Sequence, residues 1–243
     1  MEFIKKLFTP LLILFVLFTS CSQKVEESDD LLIFSKTRGY RHKSIEPGKA
    51  AIIKMCQENN FNVDTTEDSL FFTPENLKKY DVIVFLSTSG DILNETQQAA
   101  FKEYIQNGGG YVGIHAACDT EYEWPWYGKM VGGYFESHPK QQDAVVKVIN
   151  KNHSSTSHLP DEWARWDEWY NFKELNPEVT VLAKLDESSY EGGKHGDNHP
   201  IAWYQEYDGG RAFYTGMGHT AESFEDPDFL QHVWGGIEYA IGK

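Results

Sequence analysis

From Leu31 onward the chain alternates short apolar runs with segments whose apolar residues recur at helical spacing. Residues 31–35 and 81–87 are continuous apolar runs, the length of strands buried on both faces. A weaker run at 61–64 lies between them, and 111–115 forms a fourth. Residues 45–59 set Ala51, Ile52, Met55 and Cys56 on one helical face. Asn94 suits the N-cap of a second helix, which carries Phe101, Tyr104 and Ile105 and stops at Gly108, Gly109 and Gly110. This order of elements predicts an α/β fold, with a parallel sheet covered by helices on both faces.

The second half is less regular. Residues 144–149 and 178–185 read as strands, and 201–206 and 211–215 flank Tyr207-Asp208-Gly209-Gly210, a hairpin signal. Trp163, Trp166 and Tyr170 recur at helical spacing, which predicts a helix packed on the core. Residues 228–241 close the chain as an amphipathic helix bearing Phe229, Val233, Ile237 and Ala240. No internal repeat or linker interrupts 31–243, so one domain is expected there.

The amino terminus reads differently. Lys5 and Lys6 precede an apolar run over 7–18, followed by Thr19, Ser20 and Cys21. A basic start, a short apolar core and small residues describe a secretory signal over 1–20. The run is shorter than the roughly 18–20 residues of a membrane span, and Pro10 interrupts it. An uncleaved anchor is therefore the weaker alternative. Phe18-Thr19-Ser20-Cys21 resembles a bacterial lipobox, which would make Cys21 the lipidated residue. Residues 21–30 then form a flexible acidic tether. The expectation is an exported lipoprotein, periplasmic or at the cell surface, touching the membrane through its lipid.

Composition narrows the partners. With 40% hydrophobic and 24% charged residues in 243, the chain is neither disordered nor a multi-span membrane protein. A formal charge of −15 argues against nucleic acid as partner, because phosphate binding needs a basic surface. Seven Trp and thirteen Tyr exceed what packing alone asks, and suit an organic ligand. Export permits a disulfide, but Cys56 and Cys118 sit in apolar patterns and read as buried free thiols.

In open parallel sheets ligands bind beyond the carboxyl ends of the strands. That rule selects Arg38, Tyr40 and His42 after the first strand, and Ser87, Ser89 and Asp91 after the third. It also selects His115 to Asp119 after the fourth, and Gly216-Met217-Gly218-His219 with Glu222 after the late strand. His115 stands between small residues at a strand-to-helix turn, in the manner of a nucleophile elbow. An imidazole there suits proton transfer or metal binding. Asp167 and Glu168 lie among aromatic residues, where desolvation is expected to raise a carboxyl pKa and favour a general acid or base.

His115, Glu168 and Asp167 are thus the candidate catalytic groups. Arg38, Tyr40, His42, Ser89, Asp119, Trp124, Trp126, His138, His199, His219 and Glu222 are the candidate substrate contacts. The pairs His195/His199 and His153/His158 lack the helical HExxH spacing of zinc enzymes. A divalent ion, zinc or manganese, remains compatible with imidazole and carboxylate ligands, with His42, His115, His138 and His219 as candidates.

Several strings together carry a resemblance: Gly39-Tyr40-Arg41-His42-Lys43-Ser44-Ile45, Gly113-Ile114-His115-Ala116-Ala117, Trp124-Pro125-Trp126-Tyr127-Gly128, Ser137-His138-Pro139, Asp167-Glu168-Trp169-Tyr170 and Gly218-His219-Thr220. In this order, over about residues 31–242, the chain resembles the ThuA-like family, linked to trehalose utilisation. The resemblance implies a class I glutamine amidotransferase-like fold, a three-layer α/β/α sandwich with a mostly parallel, flavodoxin-like sheet. The amidotransferases of that fold carry cysteine at the elbow, where this chain has His115, with Cys118 three residues late. Glutamine hydrolysis is therefore not expected. The resemblance implies a sugar substrate, a glycoside or an oxidised keto-sugar. Two readings follow: an enzyme using acid–base or metal-assisted chemistry, or a lipoprotein that only binds carbohydrate or a partner. The cluster of ionisable groups favours the enzyme.

Overall fold

The computed structural model describes residues 30–243, with Glu2 besides. The signal, the tether up to residue 29 and the lipidation expected at Cys21 lie outside the described residues. Strands β1 (Asp30–Phe34), β2 (Asn62–Thr66), β3 (Val82–Leu86) and β4 (Gly110–Ile114) alternate with helices α1 (Ile45–Glu58), α2 (Pro74–Leu77) and α3 (Glu95–Gln106). Beyond them come α4 (Pro125–Val131), β5 (Tyr134–Ser137), β6 (Gln142–Val148), β7 (Glu162–Asp167), β8 (Asn171–Lys173) and β9 (Thr180–Asp186). The hairpin β10 (His199–Tyr207) and β11 (Gly210–Thr215) precedes the last helix, α5 (Pro227–Ile241).

Among the described residues nine strands form one sheet in the order β2-β1-β3-β4-β11-β10-β9-β6-β7, and β5 and β8 pair separately. From β2 to β11 every pairing is parallel, as the apolar runs predict. From β11 to β7 every pairing is antiparallel. Helices cover both faces of the parallel half. Phe85 of β3 stacks on Phe101 of α3 at 5.1 Å and lies 5.9 Å from Tyr127 of α4. Leu86, the next residue, points to the other face, where it meets Gly48 of α1. Phe213, in register with that face, packs under Gly236 of α5. Trp169, Trp203, Tyr111, Tyr127 and Tyr214 are fully buried, so much of the aromatic surplus fills the core instead of facing a ligand. Cys56 and Cys118 are free and buried.

The segment around Trp163 is not a helix. It is the edge strand β7, with Trp163, Arg165 and Asp167 buried and Glu162, Ala164 and Trp166 exposed, a period of two. Pairing with β6, where Trp163 sits opposite Val146, decides its conformation, and Tyr170 lies beyond the strand's end. Four successive antiparallel steps turn β7 back to the direction of β11 and β4. Its carboxyl end therefore emerges on the edge where β4 ends in His115. In a flat sheet four strand spacings would separate β11 from β7 by about 19 Å. Yet the Asp167 carboxylate lies 2.9 Å from the amide nitrogen of Gly218, just past β11. Curling of the antiparallel half, with the short reach of the 216–219 loop, closes that gap.

His232 of α5 is fully buried against Phe213 and donates from Nδ1 to the Ser155 carbonyl at 2.9 Å. Burial, with smaller contributions from Arg165, His158 and His153, pushes its pKa down to about 3, against the hydrogen bond to Ser155. An unfolded chain takes up that proton near pH 6.5, so stability falls as pH drops from about 6.5 toward 3. Urea midpoints measured between pH 7 and pH 4 should therefore decline less steeply in His232→Gln, which keeps a donor but does not titrate; parallel declines would refute this.

Candidate functional site

His115 leaves β4 with φ of +50°, a left-handed conformation uncommon for a side chain of its size, and small Ala116 and Ala117 follow it into a single 3-10 turn. Its Nδ1 lies 2.8 Å from the Gly216 carbonyl, which can only accept, so Nδ1 carries a proton. Its Nε2 faces His219 Nδ1 at 3.1 Å and Glu168 Oε2 at 3.6 Å. The ring is fully buried, with Tyr170 packed on it at 4.2 Å. The elbow expected from the sequence therefore points His115 into a cluster of side chains, not into open solvent.

Three loops complete the cluster. His42, from the loop after β1, stands edge-on to His115 and His219 at 4.8 and 5.0 Å between ring centroids. Burial first, and the neighbouring imidazoles second, push its pKa down to about 2, so the ring is neutral. Its buried Nδ1 has no hydrogen-bond partner. Glu168 follows β7 and lies 3.0 Å from His219 Nδ1. Burial works to raise its pKa, but hydrogen bonds and charge from His115 and His219 outweigh this and hold it well below the carboxylate range. The direction is opposite to that expected from its aromatic neighbours in sequence. One potential ligand atom from each of His42, His115, His219 and Glu168 falls within 4.8 Å of all the others, a spacing able to hold a metal ion.

Supporting groups orient three of the four. His115 is fixed by Gly216, His219 Nε2 lies 2.6 Å from the Gln141 amide, and Glu168 Oε1 lies 3.2 Å from His138 Nδ1. Such partners behind imidazole and carboxylate ligands are what metal sites use to set ligand direction. His138, expected among the ligands, is exposed and stands behind Glu168 instead. Asp167 is fully buried. It accepts from the backbone N–H of Glu168, Gly218 and His219 at 2.9–3.0 Å and from the Ser223 hydroxyl at 3.2 Å, with Arg165 at 3.5 Å. These contacts engage both of its oxygens in holding the backbone around Glu168 and His219.

A cavity of about 360 Å³ opens over the cluster, lined by Tyr40, His42, Asp119, Phe135, His138, Gln141, Glu168, Tyr170 and His219. Larger cavities, of about 490 and 500 Å³, lie elsewhere, one between α2 and α3 and the other beside Trp166. Asp119 accepts from the Tyr122 hydroxyl at 2.6 Å, and burial raises its pKa. Ser89 shapes the first loop by donating to the Tyr40 carbonyl at 2.9 Å, while Arg38 is exposed and contributes its backbone to the same turn.

Other expected contacts are not brought here. Trp124 and Trp126 stack on each other at 4.9 Å, and Trp126 Nε1 donates to Asp208 in the β10–β11 turn, at the opposite edge of the sheet. His199 is buried behind Tyr170, bonded to its carbonyl at 2.8 Å and to Glu187 at 2.7 Å. His195 accepts from the Phe172 N–H, so the 195/199 pair is occupied by structural bonds. Glu222 lines the cavity beside Trp166. Gln141, Phe135 and Tyr170 were not among the expected contacts; only Tyr170 fell within a distinctive string.

Residues 30–240 match the family model for ThuA, described as trehalose utilisation. The chain belongs to the ThuA family. Among solved structures, a ThuA-like protein from Bacteroides uniformis is 27% identical over 88% of this chain and 92% of its own, with a TM-score of 0.75. A ThuA-like protein from Parabacteroides merdae, 20% identical over 89% and 91%, superposes with a TM-score of 0.74 and shares the fold. A β-galactosidase from Bacillus circulans contains a related fold in 30% of its chain, at 12% identity over 88% of this one and a TM-score of 0.54. No curated protein matches.

Within this ThuA-family chain Cys118 cannot stand in for the amidotransferase nucleophile. It is fully buried, accepts from the Tyr214 hydroxyl at 3.0 Å, and burial pushes its thiol pKa well up. Asp167, by contrast, is open to a direct test. Asp167→Asn turns one acceptor oxygen into a donor facing N–H groups, and should cost about 3 kcal/mol in urea unfolding. A variant as stable as the parent would show that the clasp carries no such weight.

Proposed function

We propose that this chain is an exported, lipid-anchored enzyme that acts on a glycoside or keto-sugar, with a divalent cation held by His42, His115, His219 and Glu168 at its reaction centre. The observation that carries this reading is the convergence of three imidazoles and one carboxylate within 4.8 Å, with one buried ring nitrogen of His42 unpartnered. Sugar capture alone needs aromatic platforms and amides, and gains nothing from three facing imidazoles. Their crowding leaves a buried ring nitrogen of His42 unpaired beside two further imidazoles and a carboxylate. A cation would give these donor atoms one common partner. Imidazole with carboxylate suits zinc or manganese, and such an ion would supply Lewis-acid polarisation of a carbonyl. His138, outside the ligand set and open to the cavity, is the side chain free to accompany a proton. The family's description supports a sugar as substrate.

The test is elemental analysis after loading with zinc or manganese and exhaustive dialysis. About one ion per chain should remain in the parent and be lost in Glu168→Gln and His42→Ala. His138→Ala should weaken retention by about tenfold to a hundredfold, the effect of losing a group that orients a ligand. Turnover of glycosides and keto-glycosides, followed by product mass, should vanish with chelator and return with metal. Carbohydrate bound tightly but never consumed, by loaded or unloaded protein, would favour the capture reading instead.

The export reading has its own test. Cys21→Ala should abolish incorporation of labelled acyl chains and release the protein from membranes; continued labelling would refute lipidation at that residue.

A further inference from the structure

We infer that Asp119 is a catalytic residue of this site, the base that takes a proton from the carbon beside a keto-sugar's carbonyl. The inference rests on the carbohydrate and cation reading above. It assigns the proton step and, of the two sugar classes, selects the oxidised one. Asp167, Glu121 and Asp119 are carboxylates wholly or partly buried that stand outside the cation cluster. Two of them are filled with donors. Asp167 accepts from three backbone N–H groups. Glu121 accepts from the N–H groups of Ile92 and Leu93 and from the Gln98 amide, at 2.6–2.8 Å. Asp119 differs. Among the described residues its carboxylate receives one hydrogen bond, from the Tyr122 hydroxyl to Oδ1 at 2.6 Å. The other oxygen has no protein donor, and the residue lines the cavity over the cluster. The backbone fixes where it stands. Its N–H donates to the Ala116 carbonyl at 2.8 Å, and its carbonyl accepts from the Gly90 N–H at 2.7 Å.

The cavity thus holds two carboxylates with opposite tendencies. Imidazoles hold Glu168 well below the carboxylate range, as suits a cation ligand. Burial raises Asp119, against smaller opposing effects of the Tyr122 hydroxyl, of His115 and of Lys173 on β8. Tyr170, raised chiefly by its own burial, stays neutral beside it, and His42, His138 and His219 face the same space from other loops. Two carboxyl groups whose surroundings push their pKa values apart divide into one that stays charged and one that exchanges protons. A sugar's C–H bond becomes acidic beside a carbonyl, the more so when the carbonyl oxygen is polarised. The free oxygen of Asp119 takes that proton. The C–H electron pair forms a C=C bond, and the carbonyl π pair moves onto oxygen. No oxidant, reductant or co-reactant is needed, and the same oxygen can return the proton. An unoxidised glycoside has no carbonyl and offers no such proton.

The experiment follows deuterium uptake from D2O into methyl α-glucoside chemically oxidised to its keto forms, read by mass, with the metal-loaded full-length protein. The parent should place deuterium on the carbon beside the carbonyl, and leave the unoxidised glucoside unlabelled. Asp119→Asn keeps the shape and an oxygen for the Tyr122 hydroxyl. It should slow uptake about a hundredfold or more while still retaining about one ion per chain. A base acts in its charged form, so uptake in the parent should rise with pH as Asp119 ionises. Tyr122→Phe removes the donor that favours the charged form, so that rise should move to higher pH. A purely structural role would not move it, and this variant decides the matter should Asp119→Asn not fold. Uptake unchanged in Asp119→Asn, or a pH profile unmoved in Tyr122→Phe, overturns the role of Asp119 and leaves the carbohydrate reading intact. Loss of the ion in Asp119→Asn makes the residue a holder of the cation and likewise overturns the base. A loaded parent that neither labels nor consumes any keto form overturns both the base and the keto-sugar reading.

Discussion

One buried carboxylate sets the geometry on which the cluster depends. Asp167 Oδ1 accepts at once from the backbone N–H of Glu168 and of His219, residues that follow two strands four places apart in the sheet. Because a single oxygen holds both backbones, the two side chains come within 3.0 Å of each other. Placing a charge in a dry interior is costly, and the cost is offset only where charge and hydrogen bonds answer it. Here Arg165, the Ser223 hydroxyl and three backbone N–H groups do so. The curl of the antiparallel half and the closeness of the polar side chains are two aspects of this one interaction.

The other side of the cluster is made rigid by backbone conformation. Ser87 and His115 end adjacent parallel strands, and both adopt positive φ, at +48° and +50°. Such conformations cost of order 1 kcal/mol or more per residue and persist where surroundings determine them. At His115 the surroundings are visible: the ring donates to Gly216, and the Tyr214 hydroxyl donates to the His115 carbonyl at 2.8 Å. The imidazole thus has one available direction for its Nε2 before any ligand arrives.

How much of this could be read in the chain follows from the range of each interaction. The four parallel strands, α1, α3 and α5 are written in local periodicity, and Asn94 closes the capping box of α3 as its sequence suggests. His42, His115 and His219 were legible because the carboxyl ends of parallel strands share an edge whatever the details of packing. β7 was not, since tryptophans three apart satisfy a helical pattern, and only pairing with β6 decides the matter. The shift of Glu168 was misjudged for the same reason: its neighbours in sequence are aromatic, but the imidazoles that govern it are 53 and 51 residues away. Trp124 and Trp126 illustrate the converse, a conspicuous string whose rings settle at the far edge beside Asp208. Gln141 carried no signal at all, being an ordinary polar residue just before β6.

The sheet also has a polarity that bears on where the molecule meets its surroundings. β1 enters at Asp30 on the amino-terminal edge and runs five residues, about 16 Å, before the chain turns into the loop that carries Tyr40 and His42. Whatever precedes Asp30 therefore joins the domain on the side away from the cavity mouth. An attachment at that end would leave the mouth unobstructed by its own point of attachment.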